Sequence, residues 1–317
     1  MTAIILGAVL SAVSCDFFSY SIYPDALTAI DRSADLSSDM KSLNTSQTVM
    51  DAFDDGSHEY VFILQNDVNT VHLVVLDENM KVIFTGDDPG FGRFHVVDTY
   101  TPGNPMITVG NLEFSPAADP VTFVAMNPSP VIENRAMGFY ATMAGDYVTL
   151  VVDNSTSTAT LQDELYSTTS HWASGVGGSS PAISSMYYVN DLRRVSVDPN
   201  TDTVSLVFSG DSGFYLYRFA ADSFSSVATN FLDDGSAVVI NTENSGDQVA
   251  PTPKGYVVLS QNGPSPTITY TSTIDGSSSA LGLYKMNDPR IAASPDGSYV
   301  YVLSTGDRKL FKLKRWW

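Results

Sequence analysis

The chain has 317 residues, 43% of them hydrophobic and 16% charged, so it is long enough for a large core and too apolar for disorder. Its 16 Lys and Arg stand against 35 Asp and Glu, a formal charge of −19. That balance repels phosphate backbones and lacks the basic footprint of a nucleic-acid binder, so no nucleic-acid partner is expected; it otherwise speaks to solubility rather than fold.

The chain opens on an apolar run, residues 3–14, that ends in Ala12-Val13-Ser14 and is followed by Cys15, a single cysteine with no internal disulfide partner. The run is too short to span a bilayer, which takes about 20 apolar residues, and it ends in small residues as export signals do. The stretch MTAIILGAVLSAVSC resembles the signal of bacterial lipoproteins. That resemblance implies a lipid on Cys15, a membrane partner through that anchor, and an address at the bacterial cell envelope, periplasmic or surface-exposed. It departs from the family in having Ala12 where leucine is usual and no Lys or Arg ahead of the run. An ordinary secretory signal, or a buried strand carrying a quiet cysteine, reads the same residues. The expected organisation is a signal segment, 1–15, and a single domain, 16–317.

Residues 17–23 (FFSYSIY) alternate so that Phe18, Tyr20 and Ile22 share one face, as a half-buried strand requires. Residues 24–43 are the best helix candidate, with Leu27, Ile30, Ala34 and Met40 in a weak stripe and Pro24 suited to a first turn. Strand signals dominate from there. Runs rich in Val, Ile, Tyr, Phe and Thr, bounded by Gly, Pro, Asn and Asp, fall at 60–65, 71–76, 81–85, 94–99, 120–125, 147–152, 203–209, 214–219, 237–241, 256–260, 267–271 and 299–304. His72 and His95 lie within such runs and read by default as strand histidines with satisfied rings.

Asp-rich turns at 54–56, 87–90 and 233–235 offer hard oxygens, which makes calcium the one cofactor left open; none has the spacing of a complete calcium loop. Aspartate in a turn more often caps its own backbone. The Gly- and Ser-rich stretch 167–185 carries His171 and Trp172, a candidate binding loop, although an isolated tryptophan also tucks between sheets. The tetrad Gly210-Asp211-Ser212-Gly213 is similar to a protease nucleophile motif but occupies a hairpin turn, and no His-Glu-x-x-His or Walker pattern occurs, so no catalytic residue is assigned.

An internal repeat decides the architecture. RVSVDPNTDTVSLVFSGDSGFYLYRF from Arg194 and RIAASPDGSYVYVLSTGDRKLFKLKR from Arg290 share an arginine, an apolar strand, a proline turn, a β-branched strand, a Gly-Asp turn and an aromatic strand. Weaker copies stand at 112–125 and 248–260. The segment SPDGSYVYVL resembles the turn-and-strand signature of β-propeller repeats of the WD, TolB and YVTN kinds. It implies an all-β propeller, and a blade of about 40–45 residues gives seven blades, with six and eight as adjacent counts. A β-sandwich is the alternative, and it leaves the repeated Pro-turn-strand units unexplained.

Propellers close by letting an N-terminal strand complete the last blade, which removes an unpaired edge. Residues 17–23 are the expected closing strand, paired with 310–315. That last strand is basic: Arg308, Lys309, Lys312, Lys314 and Arg315 precede Trp316 and Trp317. Lys312, Lys314, Arg315, Trp316 and Trp317 form a candidate membrane-facing tail, the other reading being a solvated edge strand whose cations deter pairing. Two functions follow: a binding or scaffolding module for an envelope protein or glycan, or a propeller enzyme similar to sugar lactonases or lyases with its site at a channel mouth.

Overall fold

The computed structural model describes residues 23–42, 48–54, 58–66, 70–88, 248–261 and 265–317, together with the strands that lie between these stretches. In chain order the strands are β1 (Ile30–Asp35); β2 (Thr48–Asp54), β3 (Glu59–Asn66), β4 (Val71–Asp77) and β5 (Val82–Asp87); β6 (Phe94–Asp98), β7 (Pro105–Val109), β8 (Leu112–Ser115) and β9 (Thr122–Ala125); β10 (Ala136–Ala141), β11 (Asp146–Asp153), β12 (Thr158–Asp163) and β13 (Thr168–Ser170). There follow β14 (Arg194–Asp198), β15 (Thr203–Gly210), β16 (Gly213–Ala220) and β17 (Val238–Ile240); β18 (Gln248–Thr252), β19 (Gly255–Ser260), β20 (Thr267–Ser272) and β21 (Ser278–Gly282); and β22 (Pro289–Ala293), β23 (Tyr299–Ser304) and β24 (Lys309–Lys314). The fold is all-β, with one short 3-10 turn, Ala26–Ala29, as the helical element among the described residues.

The described strands form six four-stranded antiparallel sheets, five of which are meanders in sequence order while the sixth runs β1-β24-β23-β22. All twelve strand-like runs read from the sequence fall on strands. The core explains their composition. In β23, Tyr301 and Leu303 enter a cluster with Val61, Ile63, Val74 and Leu76 of the β2–β5 sheet, whereas Val300 and Val302 enter one with Val257, Leu259 and Ile268 of the β18–β21 sheet. In β3, Val61 and Ile63 face one way and Tyr60, Phe62 and Leu64 face Val109 and Phe114 on the other. A strand buried on both faces reads as a continuous apolar run instead of an alternating one. The main sheet-to-sheet contacts are made by one edge strand of each sheet, its inner strand: β22 lies against both β2 and β18, β18 against β14, and β6 against β10.

The helix expected over 24–43 does not form. Asp25 caps a single turn through Leu27 N (3.0 Å), and the backbone then extends as β1. The stripe was too weak to hold a helix against two gains: β1 completes the ladder of β24, and Leu36 and Met40 beyond it sink into the core between the sheets. The same pairing relocates the closing strand. It is Ile30–Asp35, not 17–23, that lies beside β24, in register from Ile30 with Leu313 to Asp35 with Lys309. Both edges of β24 are then taken, by β1 and β23, so it is not the cationic edge strand of the sequence reading. The charged edge is β1 itself, with Arg32 and Asp35 exposed. Residues 17–22 and Cys15 lie outside the described residues.

Tight turns carry a recurring Asp-Gly-Ser. In Asp275-Gly276-Ser277 and Asp296-Gly297-Ser298 the aspartate accepts the serine amide (3.1 and 2.8 Å) and its hydroxyl, and the glycines adopt φ of +72° and +71°. A Cβ at Gly276 meets nothing within 4 Å, whereas one at Gly297 would stand 2.8 Å from Pro253 Cδ. Gly276→Ala should therefore cost about 1 kcal/mol from backbone strain alone and Gly297→Ala clearly more, read as a larger fall in the urea midpoint.

Candidate functional site

Polar side chains at the inner strands fasten one sheet to the next. Arg290, on β22, donates from Nε to Thr48 O on β2 (3.2 Å), and its Nη1 reaches Asp288 Oδ1 (2.7 Å) and Pro289 O (2.9 Å). Nη2 completes a two-pronged grip on Asp288 (3.3 Å). Asp288 sits at φ 48°, an uncommon conformation for a side chain-bearing residue, held there by Thr305 Oγ1 on its carbonyl (2.7 Å) and carboxylate (3.2 Å). One sheet back, Gln248 on β18 accepts from Ile291 N on β22 (3.2 Å). Arg290 and Gln248 thus hold equivalent places in the repeat and reach to the following inner strand, and Arg194 holds the same place on β14. The guanidinium, gripped by four acceptor contacts, is a staple rather than an open anion site.

A second cluster locks the last sheet to the first. Tyr301 donates its hydroxyl to Glu59 Oε1, and Lys312 Nζ lies 4.0 Å from the same oxygen. Lys312 also donates to Glu78 O (3.1 Å) and stands 4.0 Å from the centre of the Tyr299 ring. Burial, and then the Glu59 carboxylate, push the Tyr301 phenol well above its ordinary 10.0. Lys312 is 6% exposed, which removes it from the membrane-facing tail: it alternates with Leu310 on the face of β24 that meets the β2–β5 sheet. That alternation was the signal in the sequence that could have found it. Glu59, at the head of β3, carried none.

The remaining tail residues are placed separately. Lys314 is exposed and pairs with Asp31 of β1 at 2.9 Å; this hydrogen bond raises the Lys314 pKa and lowers that of Asp31. Trp317 stacks on Tyr270 of β20 (4.1 Å between centroids), Arg315 lies 5.5 Å from the Trp317 ring, and Trp316 Nε1 donates to Ser279 O on β21 (3.2 Å). The two tryptophans therefore dock on the β18–β21 sheet. His72 takes the satisfied-ring role expected of it, between Asp87 Oδ1 (2.9 Å) and Asp39 O (2.5 Å). Of the Asp-rich turns, Asp87 is engaged by Lys41 and His72. Residues 55–56, 89–90 and 233–235 lie outside the described residues, as do His171 and Trp172. No group of three or more His, Cys, Asp or Glu able to hold a metal occurs among the described residues, and no helix among them is long and apolar enough to cross a membrane.

The fold and site define an all-β chain of four-stranded antiparallel sheets joined by polar staples. No family model matches it, and no curated protein does. Among solved structures it is similar to TolB from Acinetobacter baumannii, at 12% identity over 85% of this chain and 79% of that one, with a TM-score of 0.32. It is also similar to an uncharacterised protein from Listeria monocytogenes EGD-e, at 9% identity over 85% and 83% with a TM-score of 0.32. The dihydro-heme d1 dehydrogenase NirN is 11% identical over 91% of this chain and 66% of its own, with a TM-score of 0.31.

Proposed function

We propose that the chain is an envelope-anchored β-propeller that serves as a binding or scaffolding module for a protein or glycan partner, with the six described sheets among its blades. The observation that carries the propeller reading is the order β1-β24-β23-β22, in which the N-terminal strand completes the C-terminal sheet. Cores that lie between successive sheets, and inner strands that meet one another, support it further. The binding reading rests on how the polar side chains are used: Arg290, Gln248, Lys312 and Glu59 hold sheets together, and Asp288 braces Arg290.

The lipid on Cys15 is part of the same proposal. Pro24 O accepts from Gly282 N (2.7 Å) and Trp316 binds Ser279 O, so both ends of the described chain clasp β21 three residues apart, about 10 Å along a strand. An anchor at Cys15 would leave the fold beside Arg315 and Trp317, in reach of an anionic surface. Growth of a bacterium expressing the full chain with labelled palmitate should put label on the wild type and none on Cys15→Ser, which should leave the membrane fraction. Equal labelling of the two, or a wild type without label, would sink the anchor.

A further inference from the structure

The link that follows β1 is gripped from one side by Arg308, which donates to Ser37 O (3.0 Å) and Met40 O (3.4 Å), and from the other by one cross-strand row of the first sheet. Gln65 on β3 and Asp87 on β5 are both register partners of His72 on β4, which lies between them. Gln65 holds the Lys41 backbone from both sides, accepting from Lys41 N (2.8 Å) and donating to Lys41 O (3.0 Å). His72 Nε2 meets Asp39 O, and Asp87 Oδ1 receives both His72 Nδ1 and the Lys41 ammonium (2.5 Å). The Asp39 carboxylate turns away to Ser38 Oγ (2.7 Å).

The imidazole therefore faces two groups that can only accept. Asp39 O is a carbonyl, and Lys41, then His72, hold the Asp87 carboxyl below its usual range, so it is charged. A neutral ring has one N–H, and its bare nitrogen would face a lone pair; the imidazolium has two donors and satisfies both. With His72 only 8% exposed, water is poorly placed to substitute. We propose that His72 is a proton-operated latch: in its charged form it tightens the link after the closing strand onto the β2–β5 sheet, and loss of its proton loosens that link, which Gln65 continues to hold. The charged groups facing it are Asp87 from β5 and, through Asp87, Lys41 of the link; Gln65 from β3 is neutral. The sign follows from the proton. The latch holds while the imidazole carries its second proton and loosens as rising pH removes it. On the far acid side it fails when Asp87 protonates.

Native-state hydrogen exchange on the full chain tests this, read as protection factors for the Met40 and Lys41 amides relative to β23. Between pH 5.5 and 8.5 wild-type protection should fall about tenfold, the loss of one charge-assisted hydrogen bond. His72→Gln should show low protection with a flat profile, and Lys41→Met, which leaves His72 as the remaining cation on Asp87, should move the midpoint to higher pH. A flat wild-type profile, a His72→Gln protein that keeps the wild-type fall, or an unmoved midpoint in Lys41→Met would overturn the proposal. An NMR titration of the His72 ring in the wild type, whose midpoint must coincide with that of the exchange, decides the matter independently of how any variant folds.

Discussion

Replacing Ile30–Asp35 by a glycine-serine linker of equal length should abolish cooperative unfolding and drive the protein to self-associate. The linker keeps the chain connected but withdraws the side chains that hold β1: Arg32 Nη1 on Asn79 Oδ1 (2.9 Å) and Asp31 on Lys314 (2.9 Å). It also favours the unfolded state through glycine entropy. What is left is β24, whose Leu310 and Leu313 are fully buried and whose outer edge has lost its partner. Ladder hydrogen bonds are worth about 1 kcal/mol each net, and a whole strand of them approaches the roughly 5–15 kcal/mol that separates a folded domain from its unfolded chain. An open edge beside an apolar strand also invites pairing with a second molecule. Thermal unfolding followed by circular dichroism, with sedimentation at several concentrations, reads both effects. A monomer with a wild-type midpoint would show that closure by β1 contributes nothing.

The middle strands were legible in the sequence and the inner strands β18 and β22 were not, for one physical reason. β3, β19 and β23 are sandwiched between cores on both faces, so EYVFILQN, GYVVLS and YVYVLS fill with β-branched and aromatic residues and stand out as apolar runs. The inner strands β18 and β22 meet their neighbours closely and carry small residues, proline and a polar staple: QVAPT and PRIAA have no strand-like run, and only the repeat exposed them. β1, IDRSAD, is the extreme case. It lies at an edge with intermediate or exposed residues throughout, and its strand conformation is imposed by β24 rather than by its own propensities. The staples were half legible: the repeat marked Arg290 and Arg194, but that Arg290 reaches Thr48, 242 positions away, needs the last sheet set against the first. Lys312 was read as a surface charge because composition reports a cation and not the face it occupies.

Lys312→Met should then be among the most damaging single changes in the chain, although it replaces a charge by an apolar side chain of similar length. Lys312 and Glu59 have side chains only 7% and 14% exposed, and the substitution removes a cation that stands 4.0 Å from a largely desolvated carboxylate. Breaking a buried pair from one side costs about 3–5 kcal/mol, whereas removing both charges is close to neutral, so Lys312→Met/Glu59→Gln should recover most of the loss in a urea titration. Additive losses in that cycle would mean that the cation on the Tyr299 ring and the bond to Glu78 O, not the pairing with Glu59, make Lys312 matter. Tyr301 supplies a second readout. Its folded pKa lies above its unfolded 10.0, so the stability it lends is complete below about pH 10 and drains away as pH rises past that point, because the unfolded chain releases the phenolic proton and the folded one retains it. Tyr301→Phe should cost about 1–3 kcal/mol at neutral pH through the donor withdrawn from Glu59, and should flatten the decline of stability between pH 10 and 12. An alkaline decline as steep in Tyr301→Phe as in the wild type would place the responsible phenol elsewhere.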